Sequence, residues 1–209
     1  MKGLVLAALA AVLAVSTVAA QAPKGWKLRV DRSTSASDPD GAGTIKFEAM
    51  GQGFHATNPQ AATYFNPANT ATGTYSLKGS FTLVKPSGHT NYYGLVFGGS
   101  QLEGAAQEYL YFVVAQDGTF LIKHRAGDAT HDVQAKTPHA AVQKPDASGK
   151  STNVLEVRVQ ADKIDYLVNG TTVHSTPKSG MTAKTDGIYG LRVNHQLEVH
   201  VDGLTVGKI

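Results

Sequence analysis

Cysteine is absent from the 209 residues, which excludes both a disulfide framework and a lipid-attachment cysteine. Charge is sparse: 19 Lys and Arg stand against 16 Asp and Glu, a formal excess of +3 that falls by one when Lys2 is removed. The basic residues are scattered, whereas nucleic acid calls for a concentrated basic face, so nucleic acid is not an expected partner. Beyond the N-terminus no apolar run approaches the ~20 residues a spanning helix needs. No internal repeat recurs at a fixed period. Phosphate-loop and acyl-transfer signatures are missing too. Gly51-Gln52-Gly53 precedes no helix and has Ala56 at the third glycine position, and no Gly-x-Ser-x-Gly elbow occurs.

The first 20 residues have Lys2, an apolar run from Leu4 to Val15, and small residues that offer cleavage after Ala20 or Ala22. This is the pattern of a secretory signal peptide, so the mature protein is expected from residue 21 to 209 as a single domain, secreted or periplasmic, with no membrane span after cleavage. The remainder, rich in Gly, Thr, Val and Tyr, suits strands and tight turns.

Alternation carries the fold. Thr152 to His174 holds two alternating apolar runs broken at Ala161-Asp162 and a third after Asn169-Gly170, a pair that accepts the positive φ angles of a type I′ turn. That predicts a three-strand antiparallel meander. Further strands are predicted at Trp26 to Val30, Ile45 to Met50, Tyr75 to Val84, Ile188 to Val193 and Leu197 to Val206. Ser33 to Gly43 reads as a polar loop, Phe54 to Phe65 as part of an irregular region, and Gly127 to Gly149 as a long polar excursion. Tyr109 to Ala115 and Phe120 to Arg125 flank Asp117-Gly118; with a two-residue turn, Tyr111 would pair with His124, and Phe112 would share a face with Lys123 and Arg125. The expected architecture is all-β, a two-sheet antiparallel β-sandwich of jelly-roll type.

Four stretches are familiar: Met50-Gly51-Gln52-Gly53-Phe54-His55, Tyr93-Gly94-Leu95-Val96-Phe97-Gly98-Gly99, Tyr111-Phe112-Val113-Val114-Ala115-Gln116-Asp117-Gly118 and Gly190-Leu191-Arg192-Val193-Asn194-His195. Together they resemble a family of small secreted bacterial proteins. More distantly they look like the concanavalin A-like lectin/glucanase superfamily, including the domain of 3-keto-disaccharide hydrolases. The resemblance implies a sandwich that handles glycans across a concave sheet, hence a carbohydrate partner. The chain departs from the superfamily's enzymes: it has no Glu-x-Asp-x-Glu strand, with which the related retaining glucanases place two carboxyls about 5–5.5 Å apart. The Leu-Phe-Asn-Gly-type opening associated with the hydrolase domain is also missing near Trp26.

Candidate residues follow. Tyr93, Phe112, Lys123, Arg125, Arg192, Asn194, His55 and His195 are the expected ligand contacts, since sugar rings stack on aromatic faces while polar neighbours bond their hydroxyls. Adjacent strand residues face opposite ways, so one of Tyr92 and Tyr93 must leave the core. Glu198, His200 and Asp202 alternate along the last strand; Glu198, His200 or His55 would serve as acid or base in a glycoside hydrolase or lyase, though a solvated face is the simpler reading. Asp38-Pro39-Asp40-Gly41 has the opening of a calcium loop, so Asp38 and Asp40 are the candidates for a structural calcium, but the later carboxylate is missing and a plain turn explains the motif. No histidines are paired at zinc spacing, yet His55, His89 and His195 lie near strand ends, where a sandwich gathers its loops. Three functions are open: a glycan-binding protein without catalysis, a glycoside hydrolase or lyase, and an envelope structural or adhesive protein. The glycan readings require that the segment from Gln52 to Asn69 does not fill the binding face.

Overall fold

A computed structural model describes residues 22–33, 35, 36 and 38–209; the expected signal peptide lies outside them. Two antiparallel sheets of seven strands each pack face to face. The front sheet runs in the order β1 (Lys27–Asp31), β4 (Ala61–Ala71), β13 (Gly187–Val193), β6 (Tyr92–Ser100), β7 (Glu108–Ala115), β8 (Thr119–Ala126) and β9 (Ala129–Pro138). The back sheet runs β12 (Thr171–Pro177), β11 (Lys163–Val168), β10 (Ser151–Val159), β5 (Tyr75–Lys85), β14 (Leu197–Gly207), β3 (Gly53–Asn58) and β2 (Lys46–Met50). Among the described residues no helix is long and apolar enough to cross a membrane.

The inner faces build the main core by strict alternation. Leu77, Phe81, Leu83, Leu155, Val157, Tyr166 and Val199 of the back sheet meet Tyr64, Tyr93, Leu95, Phe97, Phe112, Phe120 and Leu191 of the front sheet. The meander forms as its alternation demands: β10 pairs β11 and β11 pairs β12, with Val168 opposite Thr171 across Asn169-Gly170, both at positive φ.

The central hairpin differs from its prediction by one residue. Gly118, at φ 84°, closes a three-residue loop in which its N–H donates to the Ala115 carbonyl at 3.1 Å and Asp117 Oδ1 accepts from the Thr119 hydroxyl at 2.6 Å. A left-handed glycine at the end of such a loop adds the bulge residue that a two-residue turn lacks. Tyr111 therefore pairs with Lys123, Tyr109 with Arg125 and Phe112 with Ile122. Because side chains alternate, one residue of slip moves each partner to the other face.

Two other expectations are corrected. The irregular region contains β3 and β4, strands in opposite sheets, whose pattern is obscured because β4 is buried on both faces from Ala61 to Phe65 and its register against β13 breaks between Phe65 and Thr70. The polar excursion begins with β9, an edge strand paired only with β8; exposed on both faces, it carries no apolar alternation to read.

The outer face of the front sheet is also apolar at its centre. Phe65, Val96, Tyr109, Tyr111, Val113 and Leu121 form a second cluster, completed by Leu102 from the β6–β7 loop. That loop is tied down where Arg29 Nη1 donates to the Gly104 carbonyl at 2.7 Å and Lys27 pairs with Glu103 at 2.7 Å. Part of this face is thus covered by residues after Ser100, and the segment from Gln52 to Asn69 contributes strands to both sheets rather than a cover.

Candidate functional site

What remains open on the outer front face is a pocket of about 200 Å³ lined by Tyr92, Tyr111, Val113, Leu121, Lys123, Arg192 and Asn194. Four strands supply it, β6, β7, β8 and β13, with Asn194 just beyond the end of β13. The Arg192 guanidinium lies 5.2 Å from the centroid of the Tyr111 ring, within cation–π range. Burial pushes the Tyr111 phenol up to about 12, with Arg192 pulling it down, so the ring stays neutral over the physiological range.

Behind the Arg192 of the lining, one carboxylate, Asp31, serves three arginines. Asp31 Oδ2 accepts from Arg192 Nη1 at 2.6 Å, while Oδ1 lies 3.6 Å from Arg29 Nε and 3.9 Å from Arg125 Nη2. Arg192 Nη1 also reaches Thr63 Oγ1 and the Tyr109 hydroxyl, each at 3.3 Å. Among the described residues the side-chain hydrogen bonds of Arg192 leave from Nη1. The local charge is therefore positive, with Lys123 at the rim, partnered by Asp132 at 3.0 Å on the edge strand. Asn194 Oδ1 is buried without a hydrogen-bond partner.

The expected contacts divide. Lys123, Arg192 and Asn194 line the pocket, while Arg125 is not part of its lining and donates to the Gly127 carbonyl at 2.7 Å. Phe112 and Tyr93 are corrected: both are 0% exposed and face the opposite sheet. For Phe112 the cause is the hairpin register; for the Tyr92-Tyr93 pair it is Tyr92 that turns outward. Tyr111, Asp31 and Arg29 escaped the sequence-based selection. The alternation of Arg29 with Asp31, facing Thr63 across the β1–β4 ladder, was the available signal.

His55 lies elsewhere. It stands opposite His200 on the back sheet, its Nε2 3.0 Å from Glu198 Oε1, and His200 pairs with Asp202 at 3.1 Å. These groups are partly exposed on the outer back face, beside a depression of about 400 Å³ that Glu198 lines with Lys85 and Gln196. The polar trio therefore belongs to a different surface from the pocket. A wider hollow of about 740 Å³ at the far end of the back sheet is lined by Ser76, Glu156 and Arg158, which satisfy one another at 2.7 Å.

His195 is buried at the β13–β14 turn, which carries the chain from one sheet to the other. Its Nδ1 lies 3.2 Å from Asp40 Oδ1, and its Nε2 lies 3.0 Å from Asp38 Oδ1 and 3.2 Å from His89 Nε2. His89 Nε2 is 2.6 Å from Asp38 Oδ1, and Asn91 Nδ2 approaches the same nitrogen at 3.0 Å. Asp38 and Asp40 thus turn toward imidazoles rather than surrounding an oxygen-lined cavity.

The sequence matches no protein-family model and no curated protein. Solved structures match over nearly the whole described chain. Carbohydrate-binding module CBM66 from Bacillus subtilis superposes with a TM-score of 0.61 at 11% identity, covering 88% of this chain and 96% of that one. A protein of unknown function with a galectin-like fold, also from Bacillus subtilis, gives 0.59 at 13% identity, covering 88% and 90%. A Bacteroides ovatus GH16 protein of a mixed-linkage glucan locus gives 0.55 at 10% identity, covering 87% and 94%. At these identities the likeness is one of fold. The protein is an all-β jelly-roll sandwich, the fold of these structures.

Proposed function

We propose that this protein is an exported glycan-binding sandwich that holds its ligand without cleaving it, using the outer front pocket. The single observation that carries this is the outer front pocket itself, where Tyr92, Asn194, Lys123 and Arg192 meet around one opening. A sugar hydroxyl can donate to the Asn194 amide once that side chain turns toward the pocket, and Tyr92 offers apolar surface to a ring. At about 200 Å³ the pocket is below the ~300–1,000 Å³ of ordinary ligand pockets, which fits one sugar residue or a chain end. Lys123 and Arg192 line it and no carboxylate does, so an acidic sugar such as a uronate is the favoured class. The lining likewise offers no pair of carboxyls for general acid and nucleophile, which supports binding over hydrolysis. The sugar-binding module among the structural neighbours supports the reading at the level of fold.

The test is an array of neutral and acidic glycans probed with the mature protein from Gln21, followed by incubation of any ligand to look for cleavage products. Expected is saturable binding of an intact uronate-containing glycan that Asn194→Ala and Tyr92→Ala weaken at least tenfold. A blank array, or binding indifferent to both substitutions, overturns the assignment; released product converts it to an enzyme.

A further inference from the structure

We propose that Asp38, His89 and His195 form a site for one divalent transition-metal ion of the zinc class. They come from three loops, β1–β2, β5–β6 and β13–β14, and bring three ligand atoms within 2.6–3.2 Å of one another at the end of the sandwich where β6 begins.

Neutral imidazoles cannot satisfy this triangle by hydrogen bonds alone. With Asp40 accepting at Nδ1, a neutral His195 carries its proton there and turns the Nε2 lone pair toward Asp38 Oδ1 and His89 Nε2. A proton on His89 Nε2 can serve only one of its two lone-pair neighbours. Asn91 Nδ2, a donor at 3.0 Å, moreover asks that same nitrogen for a lone pair while Asp38 asks it for a proton. A single cation among the three atoms accepts all three lone pairs together. Tetrahedral zinc, with ligands at ~2.0–2.2 Å, sets neighbouring ligands about 3.3 Å apart, so two edges of the triangle widen by ~0.1–0.3 Å and the His89–Asp38 edge by ~0.7 Å, a shift of the exposed Asp38 carboxylate.

The surroundings agree. The contact of Asp40 with His195 Nδ1 is the carboxylate–imidazole pairing that orients a metal-bound histidine and raises its basicity. His195 is buried while the side chains of His89 and Asp38 are 40% and 47% exposed, so an anchored ligand and an entry path coexist. Two imidazoles and one carboxylate select zinc, nickel or copper over calcium, which takes six to eight oxygens. The Asp38–Asp40 turn, as a calcium loop, lacked its later carboxylate; in space its completing ligands are histidines. The ion would tie the long β1–β2 loop to the turns that hold Asn194 and Asn91.

The experiment uses the mature protein without an affinity tag, stripped by chelator and titrated calorimetrically with Zn²⁺, Ni²⁺ and Ca²⁺. Expected is one Zn²⁺ per chain, no saturable Ca²⁺ binding, and a melting temperature raised by Zn²⁺. His89→Ala, on an exposed loop and folded by circular dichroism, should weaken Zn²⁺ at least tenfold, Asp40→Asn by about 10–100-fold, and His131→Ala, on the distant edge strand, not at all. Absent Zn²⁺ binding identifies the triangle as proton-linked only and overturns the proposal. So does binding that survives His89→Ala, or Ca²⁺ binding in its place.

Discussion

Asp31 is the most informative residue to remove. Its side chain is 12% exposed and is the common counterion of Arg192, Arg125 and Arg29, whose side chains are 11%, 14% and 23% exposed. Asp31→Ala leaves three guanidinium groups facing one another, with only the exposed Asp128, 3.8 Å from Arg125, as a remaining anion nearby. Removing one partner of a buried pair costs about 3–5 kcal/mol. Some solvent reaches this cluster and Arg192 keeps Thr63 and Tyr109, which places the cost near the lower end, about 3 kcal/mol. At about 2–4 °C per kcal/mol for a chain of this size, the melting temperature should fall by about 6–12 °C. Asp31→Asn, which keeps an acceptor but no charge, should lose about half as much. In Asp31→Ala/Arg192→Met the closest orphaned cation is gone, so the double variant should be more stable than the sum of the singles by at least ~1 kcal/mol. Urea unfolding followed by circular dichroism and by the fluorescence of Trp26, the single tryptophan, gives the required free energies, and coincident transitions justify a two-state treatment. A single-variant change under ~0.5 kcal/mol, or strict additivity in the double, refutes the shared-counterion account.

The register and the close approach of strands can be checked in the same assay. Phe112→Ala should cost about 3–5 kcal/mol and leave the pocket's ligand affinity intact in whatever protein folds, whereas Tyr92→Ala should cost far less stability and most of the affinity; the reverse pattern would restore the two-residue hairpin register. A Cβ on Gly190 would stand 2.1 Å from the Tyr64 carbonyl oxygen, so Gly190→Ala should abolish soluble expression or cost more than ~3 kcal/mol, while Gly170→Ala, with open space but φ 81°, should cost only about 1 kcal/mol. The Lys184 ammonium holds Glu108 below the usual carboxylate range, and the Arg158 guanidinium does the same for Glu156. A carboxyl lowered in the folded state contributes stability that is complete above its unfolded value, ~4.3, and lost as pH falls through the folded one. Melting temperature should therefore drop between about pH 5 and pH 3, and less steeply in Glu156→Gln; parallel curves would show that Glu156 contributes nothing.

Alternation is a local property of the extended backbone, so a chain that writes it clearly discloses its strands before any contact is known. Thr152 to His174 does so, and its Asn169-Gly170 turn sets its own register because both residues accept positive φ. Where the local signal is ambiguous, packing decided. Asp117-Gly118 suits a two-residue turn and a three-residue loop alike, and the choice between them put Tyr111 rather than Phe112 beside Lys123. β4 and β9 were illegible for opposite reasons, one buried on both faces from Ala61 to Phe65 and the other exposed on both.

The sequence by itself determined the class of the fold, the positions of most strands, and the cation-rich, aromatic character of the strands around Tyr109 to Arg125. Only the tertiary structure decided which of those residues share a surface. Asp38 and His195 stand 157 positions apart and His89 another 106 from His195, so no spacing rule could join them. Their meeting depends on sheet order, which brings the β1–β2, β5–β6 and β13–β14 connections to one end of the sandwich. The same order sent His55 to the back sheet, because β3 pairs with β14 and not with β13. Strand periodicity is encoded residue by residue, whereas the convergence of loops is a property of how whole strands are arranged, and that is settled by burying both sheets against one core.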